Sequence, residues 1–161
     1  IKKNSFYPWY YEQIDLSFNF ILPDINAALG LSQLRKLNQN IKKREKLVKY
    51  YRQKLSKSKI KLLDIPKHIK SSHHLLPAMY NFKSLKDKAN FFRFMSKNNI
   101  FLQVLYIPIY KHPFYKKMKF DEKNFVNTET FYKNAFSLPM HLQITKKDID
   151  IICSKINNWI Q

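Results

Sequence analysis

Apolar residues at steps of three, four or their multiples run from Ile25 through Ala28, Leu29, Leu34, Leu37, Ile41, Val48 and Tyr51 to Leu55, and this spacing predicts one long helix. Pro23 suits its first turn, Asp24 its positive end, and Lys49, Arg52 and Lys54 its negative end. Gly30 inside it costs about 1 kcal/mol relative to alanine, so close approach of another backbone is the expected compensation. Ahead of the helix, Phe6-Tyr7-Pro8-Trp9-Tyr10-Tyr11 and Leu16-Ser17-Phe18-Asn19-Phe20 follow neither a helical nor a strand period and make an irregular aromatic leader. After it, residues 60–65 and 74–82 read as strands, 85–98 as a helix with Phe91, Phe94 and Met95 on one face, and 101–107 as a further strand. Asn98-Asn99 supplies a turn, and a proline-punctuated loop runs from Pro108 to Pro113. Residues 127–135 then read as helical, 137–139 as extended and 145–159 as a closing helix, with Thr145 and Asp148 forming a variant capping box. The order predicts an α+β layer structure in three segments: a leader (1–22), a long helix (23–56) and a small C-terminal α/β domain (57–161).

Composition narrows the classes. With 45% hydrophobic and 16% aromatic residues, the 161-residue chain carries a core and is not a disordered tail. A single glycine excludes GxGxxG and P-loop phosphate cradles, and a single cysteine excludes an internal disulfide; Ile151-Ile152-Cys153 marks that thiol as buried and inert. No stretch approaches the roughly 18 apolar residues of a membrane span and the start lacks a signal-peptide core, so the expected address is the cytoplasm.

Charge is the loudest feature, at +19 from 30 Lys+Arg against 11 Asp+Glu. It raises an alternative reading as a basic protein that binds nucleic acid or an anionic membrane surface through helix faces such as Lys42-Lys43-Arg44. Against it, the cations are nearly all lysine and spread along the whole chain, where phosphate-clamping surfaces concentrate arginine. The five histidines show no metal-binding spacing, and His73-His74, adjacent in an expected strand, point to opposite faces. Asn19, a polar amide between Phe18 and Phe20, needs a partner wherever it is buried, in a turn or at a ligand.

A resemblance sharpens this picture. Pro8-Trp9-Tyr10-Tyr11-Glu12, then Leu16-Ser17-Phe18-Asn19-Phe20-Ile21-Leu22-Pro23-Asp24-Ile25-Asn26-Ala27-Ala28-Leu29-Gly30, resembles the DegT-type sugar aminotransferases, pyridoxal-phosphate enzymes of fold type I. Ser71-Ser72-His73-His74-Leu75, Gln103-Val104-Leu105-Tyr106-Ile107-Pro108-Ile109-Tyr110 and Phe136-Ser137-Leu138-Pro139 continue the likeness in order. The Trp-Tyr-Tyr-Glu run looks most like the branch that makes UDP-4-amino-4,6-dideoxy-N-acetyl-β-L-altrosamine for pseudaminic acid. The resemblance implies the linker helix and small domain of such an enzyme, with a small antiparallel sheet covered by helices. It implies transfer of an amino group from glutamate to a UDP-linked 4-keto-6-deoxy sugar, with pyridoxal 5'-phosphate held as a Schiff base on a lysine. It further implies a homodimer in which Asn19 reaches the neighbour's cofactor phosphate, and a loop where Tyr106 and Tyr110 approach the nucleotide-sugar.

No lysine here stands in the family's Schiff-base motif, so no catalytic lysine is assigned. Ile21, Ser17 and Leu105 replace the arginine, glycine and histidine that the family pattern carries. Together with the initial Ile and the scarcity of glycine, these departures lead us to expect the C-terminal part of an enzyme, inactive alone, under relaxed selection. Its leader and helix would then expose apolar surface.

Overall fold

The computed structural model describes Asp15, Phe18 and residues 20–160. The chain divides into two units, Ile1–Lys36 and Leu37–Gln161, and the division falls within one helix, α1 (Asp24–Lys54). α1 starts where the Pro23 carbonyl accepts the N–H groups of Asn26 and Ala27, and the tail of its last turn carries Arg52 and Lys54. In the first unit the apolar side chains face solvent: Phe18 is 83%, Phe20 85% and Ile25 78% exposed, with Leu29 and Leu34 also exposed. Gly30 departs from expectation. A Cβ built there meets no atom of the described residues within 4 Å, so among them no backbone supplies the compensation read from the sequence.

The second unit holds the core. Four strands, β1 (Lys61–Leu62), β2 (Leu76–Met79), β3 (Gln103–Val104) and β4 (Ala135–Leu138), form one antiparallel sheet in the order β1-β2-β4-β3. Leu76 pairs with Leu138 and Met79 with Ala135, while Gln103 and Val104 pair with Ser137 and Phe136. Alternation buries Leu76 and Ala78 of β2, and central β4 is buried at every residue. Helices α2 (Leu85–Lys97) and α5 (Lys146–Ile160) bring Phe91, Met95, Ile149, Ile152 and Ile156 into the same core as Val48 and Tyr51 of α1. Phe82, Phe91 and Phe136 form a tilted aromatic triad with ring centroids 5.3 to 6.1 Å apart.

Polar ties fix the helices. The Tyr51 hydroxyl donates to the Pro139 carbonyl at 2.9 Å, and Asp150 on α5 accepts from Tyr50 and pairs with Lys54 at 2.7 Å. Ser84 caps α2 by accepting the Asp87 N–H. Thr145 and Asp148 form the expected reciprocal cap on α5: each side chain accepts the other residue's N–H. Cys153 is buried as expected, and burial pushes its thiol up to about 12.

The fold class follows the sequence, but the strands are shorter than their apolar runs. β1 ends at Leu62 because the Pro77 carbonyl accepts the Leu63 N–H and proline has none to return. His73 takes a left-handed φ of 49° ahead of β2, so the two histidines precede the strand rather than alternate within it. Asn99, at φ 59°, makes the expected turn after α2.

Candidate functional site

The segment that follows β3 cannot continue as a strand, because Pro108 and Pro113 remove ladder donors. Pro108 is buried, and its carbonyl accepts the Lys111 N–H to close a 3-10 turn over Ile109–Lys111. The His112 carbonyl then accepts the N–H groups of Tyr115 and Lys116 and opens a one-turn helix, α3 (Pro113–Lys116). A second 3-10 turn (Glu122–Phe125) leads into α4 (Val126–Asn134).

Glu129 on α4 holds this loop. Its Oε1 accepts the Tyr110 hydroxyl at 2.6 Å and its Oε2 accepts the Lys111 ammonium at 2.8 Å, while Glu122 sits 3.4 Å from the same ammonium. The Tyr110 ring stacks on Phe125 with centroids 4.8 Å apart, and Lys111 lies over the Tyr132 ring. Partial burial and the neighbouring carboxylate push the Tyr110 hydroxyl up to about 12, so it remains a donor at neutral pH. Burial acts to raise the Glu129 carboxyl, but the hydrogen bonds from Lys111 and Tyr110 outweigh it and leave the group below its ordinary value. The Glu129 hydrogen bond is also the chief cause of the raised Lys111 ammonium.

The structure therefore separates the two tyrosines read from the sequence. Tyr106 is 74% exposed and presents its ring and hydroxyl freely for contact, whereas Tyr110 is anchored inside the loop. Asn19 lies outside the described residues. Glu129 was not legible: Asn127-Thr128-Glu129-Thr130 has no distinctive spacing, and its partners are 18 and 19 residues away. A separate cleft of about 750 Å³ opens at the end of the sheet, lined by Ile100, Phe101, Gln103, Leu138 and Ile152. Asp148 borders it with a carboxylate spent on the Thr145 N–H and hydroxyl.

A pyridoxal-phosphate site requires an amine free to hold the aldehyde, donors for the phosphate and an acid for the pyridine nitrogen. Among the described residues the one buried lysine is Lys88, and its Nζ is committed to the carbonyls of Tyr132 and Ala135 at 2.6 and 2.7 Å. The described residues therefore do not fit the cofactor by themselves.

Comparison with known proteins gives a consistent family. Residues 2–157 match the DegT/DnrJ/EryC1/StrS aminotransferase family. The chain is 34% identical over 148 residues to UDP-4-amino-4,6-dideoxy-N-acetyl-β-L-altrosamine transaminase of Campylobacter jejuni, covering 89% of this chain and 38% of that protein. Helicobacter pylori PseC, an aminotransferase involved in the biosynthesis of pseudaminic acid, superimposes with a TM-score of 0.84 at 28% identity, over 99% of this chain and 42% of that one. A sugar aminotransferase of Streptococcus pneumoniae in its PLP form gives 0.87 at 26% identity, over 94% and 39% of the two chains. The chain thus spans well under half the length of the relatives it matches.

Proposed function

This chain belongs to the DegT/DnrJ/EryC1/StrS aminotransferase family, and from that premise we propose that it forms the small domain and linker helix of a nucleotide-sugar aminotransferase. In this reading residues 1–22 belong with the cofactor-bearing domain of the longer relatives, 23–56 are the interdomain helix and 57–161 the small domain. The reaction is amino transfer from glutamate to the 4-keto group of a UDP-linked 6-deoxy sugar. The observation that carries it is the likeness to PseC over 99% of the chain, joined by the identity to the C. jejuni transaminase. Pyridoxal 5'-phosphate is held outside the described residues, with Asn19 donating its amide to the phosphate across a homodimer. The protein works in the cytoplasm; no helix of the described residues is long and apolar enough to cross a membrane.

This chain's own contribution is to orient substrate. Tyr106, exposed beside a loop pinned by Glu129, offers a ring and a hydroxyl to the nucleotide-sugar without having to reorder the backbone beneath it. Tyr110 contributes by holding that loop through its Glu129 hydrogen bond and Phe125 stack. Turnover requires a lysine set in a cofactor site, and Lys88, the buried lysine of the described residues, is committed to backbone carbonyls, so in this reading the chain alone is inactive.

Borohydride reduction after incubation with pyridoxal phosphate, followed by peptide mapping, tests the cofactor half of this reading. The expected result is no stoichiometric label on any lysine of the chain alone; a single quantitatively labelled lysine would overturn it. Titration with UDP, followed by amide shifts, tests the other half. Shifts confined to residues 105–112 are expected, and their absence removes the substrate role of Tyr106 and Tyr110.

A further inference from the structure

We propose that Lys88 is a positioning residue: its buried ammonium locks the end of α4, and through Glu129 on that helix it sets the loop that carries Tyr106 and Tyr110. Only the statement of what the loop binds rests on the reading above.

The need for such a lock is local. α4 passes into β4 with no intervening turn: Asn134 ends the helix and Ala135 begins the strand. The last-turn carbonyls of a helix need outside partners, commonly supplied by a glycine-based cap, and here Ala135 supplies its N–H only to the Phe131 carbonyl. The Tyr132 carbonyl is the next to need a donor. The Ala135 carbonyl has a parallel problem. The Tyr80 N–H bonds the Asn134 carbonyl, so Asn134 faces β2 and the next carbonyl along faces the β3 side. β3 ends at Val104, opposite Phe136, one residue short of Ala135.

Lys88 supplies a donor to both carbonyls. Its Nζ donates to the Tyr132 carbonyl at 2.6 Å and the Ala135 carbonyl at 2.7 Å, the short distances of charge-assisted bonds, and the residue is only 5% exposed. The Phe92 and Tyr132 rings lie 5.7 and 5.3 Å from the ammonium, and the cation stands at the negative end of α4. Burial pulls the amine down to about 8, which leaves it mostly charged at neutral pH. Less than one helical turn back from Tyr132 is Glu129, which holds Tyr110 and Lys111; Lys111 in turn lies over the Tyr132 ring at 5.7 Å. The path from α2 to the loop is therefore continuous: Lys88, the α4 terminus, Glu129, Tyr110.

Backbone hydrogen exchange on the full chain tests the coupling. In Lys88→Met, amides of residues 129–135 and 109–112 should exchange roughly tenfold faster or more, as two buried carbonyls lose their donor, while β2 and α5 keep their protection. Lys88→Arg should restore protection in both segments. Unchanged exchange at 109–112 in Lys88→Met, or acceleration shared equally by β2 and α5, overturns the proposal. If Lys88→Met does not fold, Lys88→Arg decides alone: a folded chain with a protected loop supports the proposal, and a folded chain with an unprotected loop, or no folded chain, overturns it. UDP titration of the same samples separates the two readings. An exchange pattern as expected with no UDP-induced shift leaves the lock standing and removes the substrate role of the loop.

Discussion

Glu129 joins two neighbours on one short loop, and that doubling decides what its loss does. With Glu129→Gln, the ion pair with Lys111 is reduced to an ammonium–amide contact and the amides of 109–112 should exchange faster, while Tyr132 and Ala135 keep the Lys88 ammonium. Loop protection that survives this change intact would show that the carboxylate is not the anchor. Acid has a related effect with a fixed sign. A carboxyl held below its ordinary value of 4.5 favours the ordered loop above that pH, and the ordering fades as pH falls through the lower folded value. Exchange measured between neutral pH and pH 3, corrected for intrinsic rates, reads that loss directly. Tyr106 and Tyr110 stand out in the sequence because a family-like motif carries them, whereas Glu129 and Lys88 act through partners distant in sequence. No local pattern encodes a carboxylate that meets a loop 19 residues upstream, or an amine that meets carbonyls 44 and 47 residues downstream.

Among the elements, helices were read closely and strands only in position. α2 and α5 follow their periodicity because Ser84 and Thr145 mark their starts by side-chain chemistry that is visible in sequence. β1 shrinks where its partner Pro77 has no N–H to return, and an apolar run cannot report the partner's missing N–H. The stripe along α1 was legible too, but it serves two ends differently: Leu47, Val48 and Tyr51 are buried, while Ile25, Leu29 and Leu34 are open. Gly30 lies in the open part, with free space where a side chain would be. Gly30→Ala should therefore strengthen the helix locally by about 0.5–1 kcal/mol, read as slower exchange of amides 28–34. Faster exchange there would show that the glycine relieves a clash after all.

For the whole molecule, charge and apolar exposure pull in opposite directions. A net charge of +19 disfavours self-association, yet Phe18, Phe20, Ile25, Leu29 and Leu34 offer a run of apolar side chains to solvent. The chain should bind an environment-sensitive dye such as ANS at neutral pH, and a Leu29→Gln/Leu34→Gln double variant should bind markedly less. A dye signal that the double variant leaves unchanged places the exposed surface elsewhere. The sheet order carries a consequence for how the chain comes into being. β4 lies between β2 and β3, and it is the last strand in the sequence. A ribosome must therefore deliver residues up to Leu138, and then the length that its exit tunnel conceals, before β2 or β3 has its principal neighbour. Until then β2 is paired only with β1 and β3 has no neighbour, and a translation stop just before Ala135 leaves a product that has every helix up to α4 but lacks the strand that joins β2 to β3.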